Sequence, residues 1–169
     1  MRKVHIINSI TGYTYDDLYV GITFRSPGRT ITEADVVNFG GITGDLSELH
    51  TSDIYAARSP FSRRVAHGML GLAYAHGLMW ARSNDLRATA IAFIGINNWS
   101  FVLPIFIGDT ILVDYGVIGM RDSLSNADRA IVTFGVKVVN QEGQTVQQGQ
   151  KLLLCSKSPL HVNEETGNK

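Results

Sequence analysis

A chain of 169 residues, 44% of them hydrophobic and 18% charged, has the size and composition of one globular domain able to bury its own core. Its 15 basic residues balance 15 acidic ones, and a net charge of zero argues against a general nucleic-acid binder and against electrostatic attachment to a membrane surface. The single cysteine, Cys155, rules out an intramolecular disulfide, and its setting after Leu152-Leu153-Leu154 reads as a buried, inert thiol. Arg2 and Lys3 are not followed by the apolar core of a signal peptide, and no apolar run approaches the ~18–20 residues of a membrane span. The expectation is a soluble, cytoplasmic protein.

In chain order, Val20 to Phe24 reads as a short strand, broken by Ser26-Pro27-Gly28. Thr32 then has the chemistry of a helix N-cap, with Glu33 and Asp35 in the first turn, where the helix dipole favours acids. Val36, Val37 and Phe39 give this helix an apolar side, and Gly40-Gly41 predicts that it frays or stops before Asp45. Asp45 to His50 reads as a loop, followed by a short helix over Ser52 to Ala57 capped by Thr51 or Ser52. Phe61 to Ala66 is a connection after the punctuation of Pro60.

Gly68 to Ala81 is apolar or small nearly all round, the pattern of a helix buried on every side. The wrapping it needs is supplied by period-2 patterns downstream: Trp99, Phe101 and Leu103, then Ile111, Val113, Tyr115 and Val117, then Val132, Phe134, Val136 and Val138. Gly108-Asp109 and Gln141-Glu142-Gly143 read as turns, and the polar run Arg121 to Arg129 as a hairpin loop. The predicted class is α+β: an antiparallel sheet wrapped around one long central helix, in a single domain over residues 1–157, with a loose polar tail over 158–169.

Two segments carry chemistry. Gly44-Asp45-Leu46-Ser47-Glu48-Leu49-His50 sets a carboxylate and an imidazole five residues apart, a pair able to activate one water. His67-Gly68-Met69 opens the central helix, where a glycine N–H could meet a developing oxyanion. Gly44, Asp45, Leu49 and His50, together with His67, Gly68 and Met69, resemble the motifs of the MaoC-like, R-specific enoyl-CoA hydratase family of hotdog-fold proteins. The turn at Pro104 and Gly108-Asp109 is similar to the family's as well. One departure is local: Ser47-Glu48 stands where the family usually has Asn-Pro.

The resemblance implies addition or removal of water at the double bond of an enoyl thioester. His50 would take the proton of the attacking water, Asp45 would hold the same water and help deliver a proton to C2, and Gly68 would bind the thioester oxygen. It also implies a homodimer or dimer-based oligomer acting on an acyl-CoA or acyl-carrier-protein thioester, without a redox cofactor. The five histidines and one cysteine show no metal-ligand spacing in the sequence.

Arg63 and Arg64 precede the helix and are candidates for the phosphates of the carrier arm. His67 would shape the oxyanion loop or cap the helix. Met69 and His76 share a helix face with Leu72 and are candidates for the acyl pocket. A histidine there is costly beside a plain alkyl chain, so the expected substrate is a short or branched polar enoyl thioester. A hotdog thioesterase and a non-catalytic thioester-binding subunit remain open alternatives.

Overall fold

The computed structural model describes residues 12–81, 86 and 88–160; the proposed tail beyond Leu160 and the N-terminal Arg2 and Lys3 lie outside them. Two short strands, β1 (Thr23–Arg25) and β2 (Arg29–Thr30), precede helix α1 (Glu33–Thr43). Short helices α2 (Glu48–Thr51) and α3 (Asp53–Ala57) lead to the long helix α4 (Gly68–Ala81). Four long strands close the chain: β3 (Ala90–Phe101), β4 (Thr110–Asp122), β5 (Arg129–Val139) and β6 (Thr145–Ser156).

The pairing is antiparallel throughout, in the order β1-β4-β5-β6-β3, with β2 added beside β4. Strand alternation decides which side chains meet the helix. Ile111, Val113, Tyr115 and Val117 of β4 and Val132, Phe134, Val136 and Val138 of β5 are all buried, as their spacing predicts. They form one core with Leu70, Ala75, Leu78 and Met79 of α4. Cys155 is buried in the same layer, and burial pushes its thiol up to about 11.

Local chemistry explains the element ends. Thr32 caps α1 through a reciprocal box: its hydroxyl accepts from the Asp35 N–H while the Asp35 carboxylate accepts from the Thr32 N–H at 2.8 Å. Helix α1 runs through Gly40 and Gly41 and stops one turn later, where Gly44 adopts φ 77° and its N–H bonds the Gly40 carbonyl. Gly40 serves close packing, because a Cβ there would sit 3.2 Å from the Asp45 carbonyl and 3.1 Å from the Leu46 side chain. Ser52 caps α3 through its hydroxyl, at 3.2 Å from the Tyr55 N–H.

Three expectations need correction. The Asp45–His50 stretch is not all loop, since Glu48–Thr51 closes one helical turn that carries His50. Helix α4 is not buried on every side: Met69 is 57% exposed, Ala73 and Gly77 are exposed, and Leu72, His76 and Trp80 are half-buried. Phe101 and Leu103 do not face the core, being 54% and 42% exposed, because β3 is an edge strand pairing only with β6. Ile91, Phe93, Ile94 and Ile96 on the same strand are exposed too. Together β3 and the open side of α4 form one apolar surface that the described residues leave uncovered.

Candidate active site

The αL turn at Gly44 swings the chain back so that Asp45 lies over the start of α4. His67, immediately before α4, is 2% exposed, and its Nε2–H donates to the Asp45 carbonyl at 2.9 Å. Its ring lies against His50 with centroids 3.8 Å apart and the planes tilted by 33°, and it meets Phe39 at 5.0 Å. His67 therefore ties the two motifs together. Its Nδ1 has no protein partner among the described residues.

His50 is oriented by its own second nitrogen: Nδ1–H donates to the Val65 carbonyl at 2.7 Å, which leaves Nε2 as a proton acceptor. The Asp45 carboxylate takes the Ser47 N–H at 3.4 Å, so the Ser47-Glu48 departure preserves a local turn through the backbone. Thr51 adds a bond from its hydroxyl to the Ser47 carbonyl at 3.1 Å. Glu48 is exposed. One ligand-type atom from each of Asp45, His50 and His67 lies within 4.8 Å of the others, a span that a single water can bridge.

The same three residues are a set able to hold a cation, a grouping the sequence spacing did not reveal.

Beside His50, a cavity of about 290 Å³ is lined by Gly68, Phe101, Leu103, Ile105 and Gln147. Gly68 begins α4, so its N–H has no acceptor within the helix and sits at the positive end of the helix dipole. A Cβ at this position would fall 2.9 Å from the Phe101 ring, so only glycine permits the approach of β3 that builds the cavity wall. Gln147 fixes the same turn: its amide donates to the Gly68 carbonyl at 3.0 Å while its oxygen accepts from the Trp99 indole at 3.3 Å. A wider groove of about 850 Å³ crosses the outer face of the sheet past Gly116, Gly135 and Gly149, and none of the motif residues lines it.

The remaining candidates separate. Arg63 stacks on the Phe106 ring at 3.8 Å and borders a second cavity of about 290 Å³ that shares Leu103 and Pro104 with the first. The guanidinium of Arg64 is engaged within the chain, by Glu33 at 2.6 and 2.8 Å and by Asp53 at 2.6 Å. It holds α1, α3 and the connection together. Met69 lies on the open face of α4. His76 is half-buried, and its Nδ1 lies in hydrogen-bond contact with Lys151 Nζ at 2.7 Å. Gln147 and Lys151 are absent from the motif reading. Their signal is polar chemistry at inward positions of the β6 alternation, shared with Leu153 and Cys155.

Residues 20–140 match the MaoC like domain. Over 99 residues, 59% of this chain, the sequence is 38% identical to protein MaoC of Klebsiella aerogenes, of which the match spans 29%. Over 100 residues it is 37% identical to a 3-hydroxybutyryl-CoA dehydratase of Methylorubrum extorquens, spanning 60% of that protein. The chain thus covers less than two thirds of the length of either relative.

Among solved structures, the monoamine oxidase regulatory protein of Archaeoglobus fulgius is 32% identical with a TM-score of 0.81, covering 88% of this chain and 97% of that one. A Mycobacterium tuberculosis protein with a double hotdog fold is similar in fold at 21% identity and a TM-score of 0.70, over 92% of this chain and 48% of that one. No helix among the described residues is long and apolar enough to cross a membrane. With a hotdog fold and a family match over most of its length, the chain belongs to the MaoC-like domain family.

Proposed function

We propose that this protein adds water across the C2–C3 double bond of an enoyl thioester, or removes it in the reverse direction. The observation that carries the reading is the Asp45–His50 pair, held within reach of one water beside the free end of α4. His50 Nε2 accepts a proton as the water oxygen attacks C3. The electron pair of the double bond moves toward the thioester oxygen, where the Gly68 N–H meets the developing charge. C2 then takes a proton from the Asp45–His50 pair, which restores both groups. The thioester itself acidifies C2, so the sequence of proton transfers needs no redox cofactor.

Arg63, at the neighbouring cavity, suits the phosphates of a CoA or carrier-protein arm. The exposed β3 edge and the open face of α4 support a homodimer in which a second copy would cover them along with the solvent-exposed Asp45. The similarity to a 3-hydroxybutyryl-CoA dehydratase supports the same chemistry.

The test is absorbance-monitored hydration of a panel of enoyl-CoAs with a parallel assay for free thiol. Loss of the enoyl chromophore without thiol release is expected. Thiol release from saturated acyl-CoAs without hydration would replace this reading by a thioesterase. Thioester binding with neither reaction would leave a non-catalytic subunit.

A further inference from the structure

Lys151 is 1% exposed on the inner face of β6, and its surroundings are unusual for an ammonium group. Its Nζ bonds His76 Nδ1 at 2.7 Å and the Met79 sulfur at 3.3 Å, and it lies 5.3 Å from the centre of the Phe93 ring. Among the described residues no carboxylate pairs with it. A buried cation without a counter-charge is costly, and burial alone pulls its pKa down to about 7. When Lys151 is charged, its ammonium must be the donor to His76 Nδ1, and the ring proton then sits on Nε2. His76 is half-buried on the open side of α4, with Phe93 at 4.9 Å. The pair is therefore built of donors and meets the surface at the imidazole.

Its place gives it a purpose. The seam between α4 and β3 is marked at one end by Gly68 against Phe101 and at the other by His76 against Phe93. Arg63 lies beyond the Gly68 end, through the shared walls Leu103 and Pro104. Eight residues separate Gly68 from His76, about 12 Å along the helix axis, and helical side chains lean back toward the N-terminus, which shortens the gap. A thioester whose carbonyl sits at Gly68 and whose carrier arm leaves past Arg63 has the α4–β3 seam, and His76 on it, on its acyl side.

We infer that Lys151 and His76 form a subsite for a carboxylate on the far part of the acyl chain, making the preferred substrate an enoyl thioester of a dicarboxylic acid. The inference rests on the hydratase reading for its orientation. A plain alkyl chain would leave the Lys151–His76 pair facing hydrocarbon, whereas a carboxylate supplies the counter-charge that the described residues do not.

The test compares kcat/KM for straight-chain 2-enoyl-CoAs with that for their ω-carboxylated counterparts of equal length, from about five to eight carbons. Calorimetric binding of the saturated pairs, such as adipoyl-CoA against hexanoyl-CoA, runs alongside. At the length that spans the seam, the carboxylated thioester is expected to be favoured at least about tenfold, mostly through KM. Lys151→Met and, independently, His76→Phe should each collapse that ratio, while His76→Gln, which retains a donor, should restore part of it.

Equal or better use of the alkyl thioester at every length, or a ratio unmoved by both substitutions, would overturn the subsite while hydration of the alkyl series kept the hydratase reading. Conversely, tighter binding of adipoyl-CoA that depends on Lys151, with no enoyl-CoA hydrated, would sustain the subsite and sink the hydratase. Failure of the wild-type protein to bind either saturated thioester would overturn the subsite.

Discussion

Strands β5 and β3 both pair with β6, yet they do opposite work. On β5 the inward residues are sealed, Phe134 at 0% exposure, by α4 on one side and by hydrogen-bonded neighbours on both edges. On β3 one edge is unpaired among the described residues, and Phe93 remains 43% exposed although it touches His76. The same residue type thus marks a finished core on one strand and an unfinished surface on the other. The difference shows that the described residues seal one side of α4 and leave open the side that carries Met69 and His76.

The largest effect expected from this contrast is on stability. Phe134→Ala should cost about 3–5 kcal/mol in denaturant unfolding, the scale of a fully buried aromatic removed from a packed core. Phe93→Ala should cost the folded chain far less and should instead weaken self-association, read as a shift toward monomer in light scattering across a dilution series. A wild-type protein that is already a fully active monomer at micromolar concentration would break the comparison.

A smaller effect, of opposite sign, belongs to Lys151. Its folded-state pKa of about 7 lies below the ordinary value of 10.5, so between those limits the unfolded chain binds more protons and stability rises with pH. Replacing Lys151 by Met should stabilise the protein by ~1–4 kcal/mol below pH 7. That advantage should fade as pH rises through the window and vanish above it. Thermal melts of both proteins across that range check the sign, and a constant difference would show that the lysine is not held in a desolvated state.

The smallest effects compare two glycines of α4. Gly77 faces open space, so Gly77→Ala should stabilise by up to ~1 kcal/mol through helix propensity. At Gly71 a Cβ would meet the Gln147 amide nitrogen at 2.3 Å and Ile105 at 2.7 Å, so Gly71→Ala should destabilise and disturb the Gln147 bond to Gly68. Equal melting shifts for the two would contradict the division of α4 into a closed and an open side.

What the sequence disclosed followed the same division. The bounds of α4 were readable because its apolar run starts at His67-Gly68 and ends at Ala81, and β4 and β5 because each strand has one buried face and one that is not. The reading of β3 went astray for a physical reason: an edge strand shaped to meet another surface carries apolar residues on both faces, and alternation then points nowhere.

Helix α2 was hidden because one turn of four residues is too short for periodicity. At the site, the gathering of Asp45, His50 and His67 depends on a fold-back at Gly44 and on contacts between distant residues, which no local spacing encodes. Family resemblance brought those residues forward. Lys151 and Gln147 carried a local signal, a polar side chain at an inward position of a strand.

The central claim is that Asp45 and His50 activate one water. It is tested most directly by the hydration rate of an enoyl-CoA in wild type, Asp45→Asn and His50→Ala, each checked for retained fold by circular dichroism. Loss of about 10²–10⁴-fold in kcat from either substitution is the predicted result. Folded variants that hydrate the substrate at the wild-type rate would contradict it.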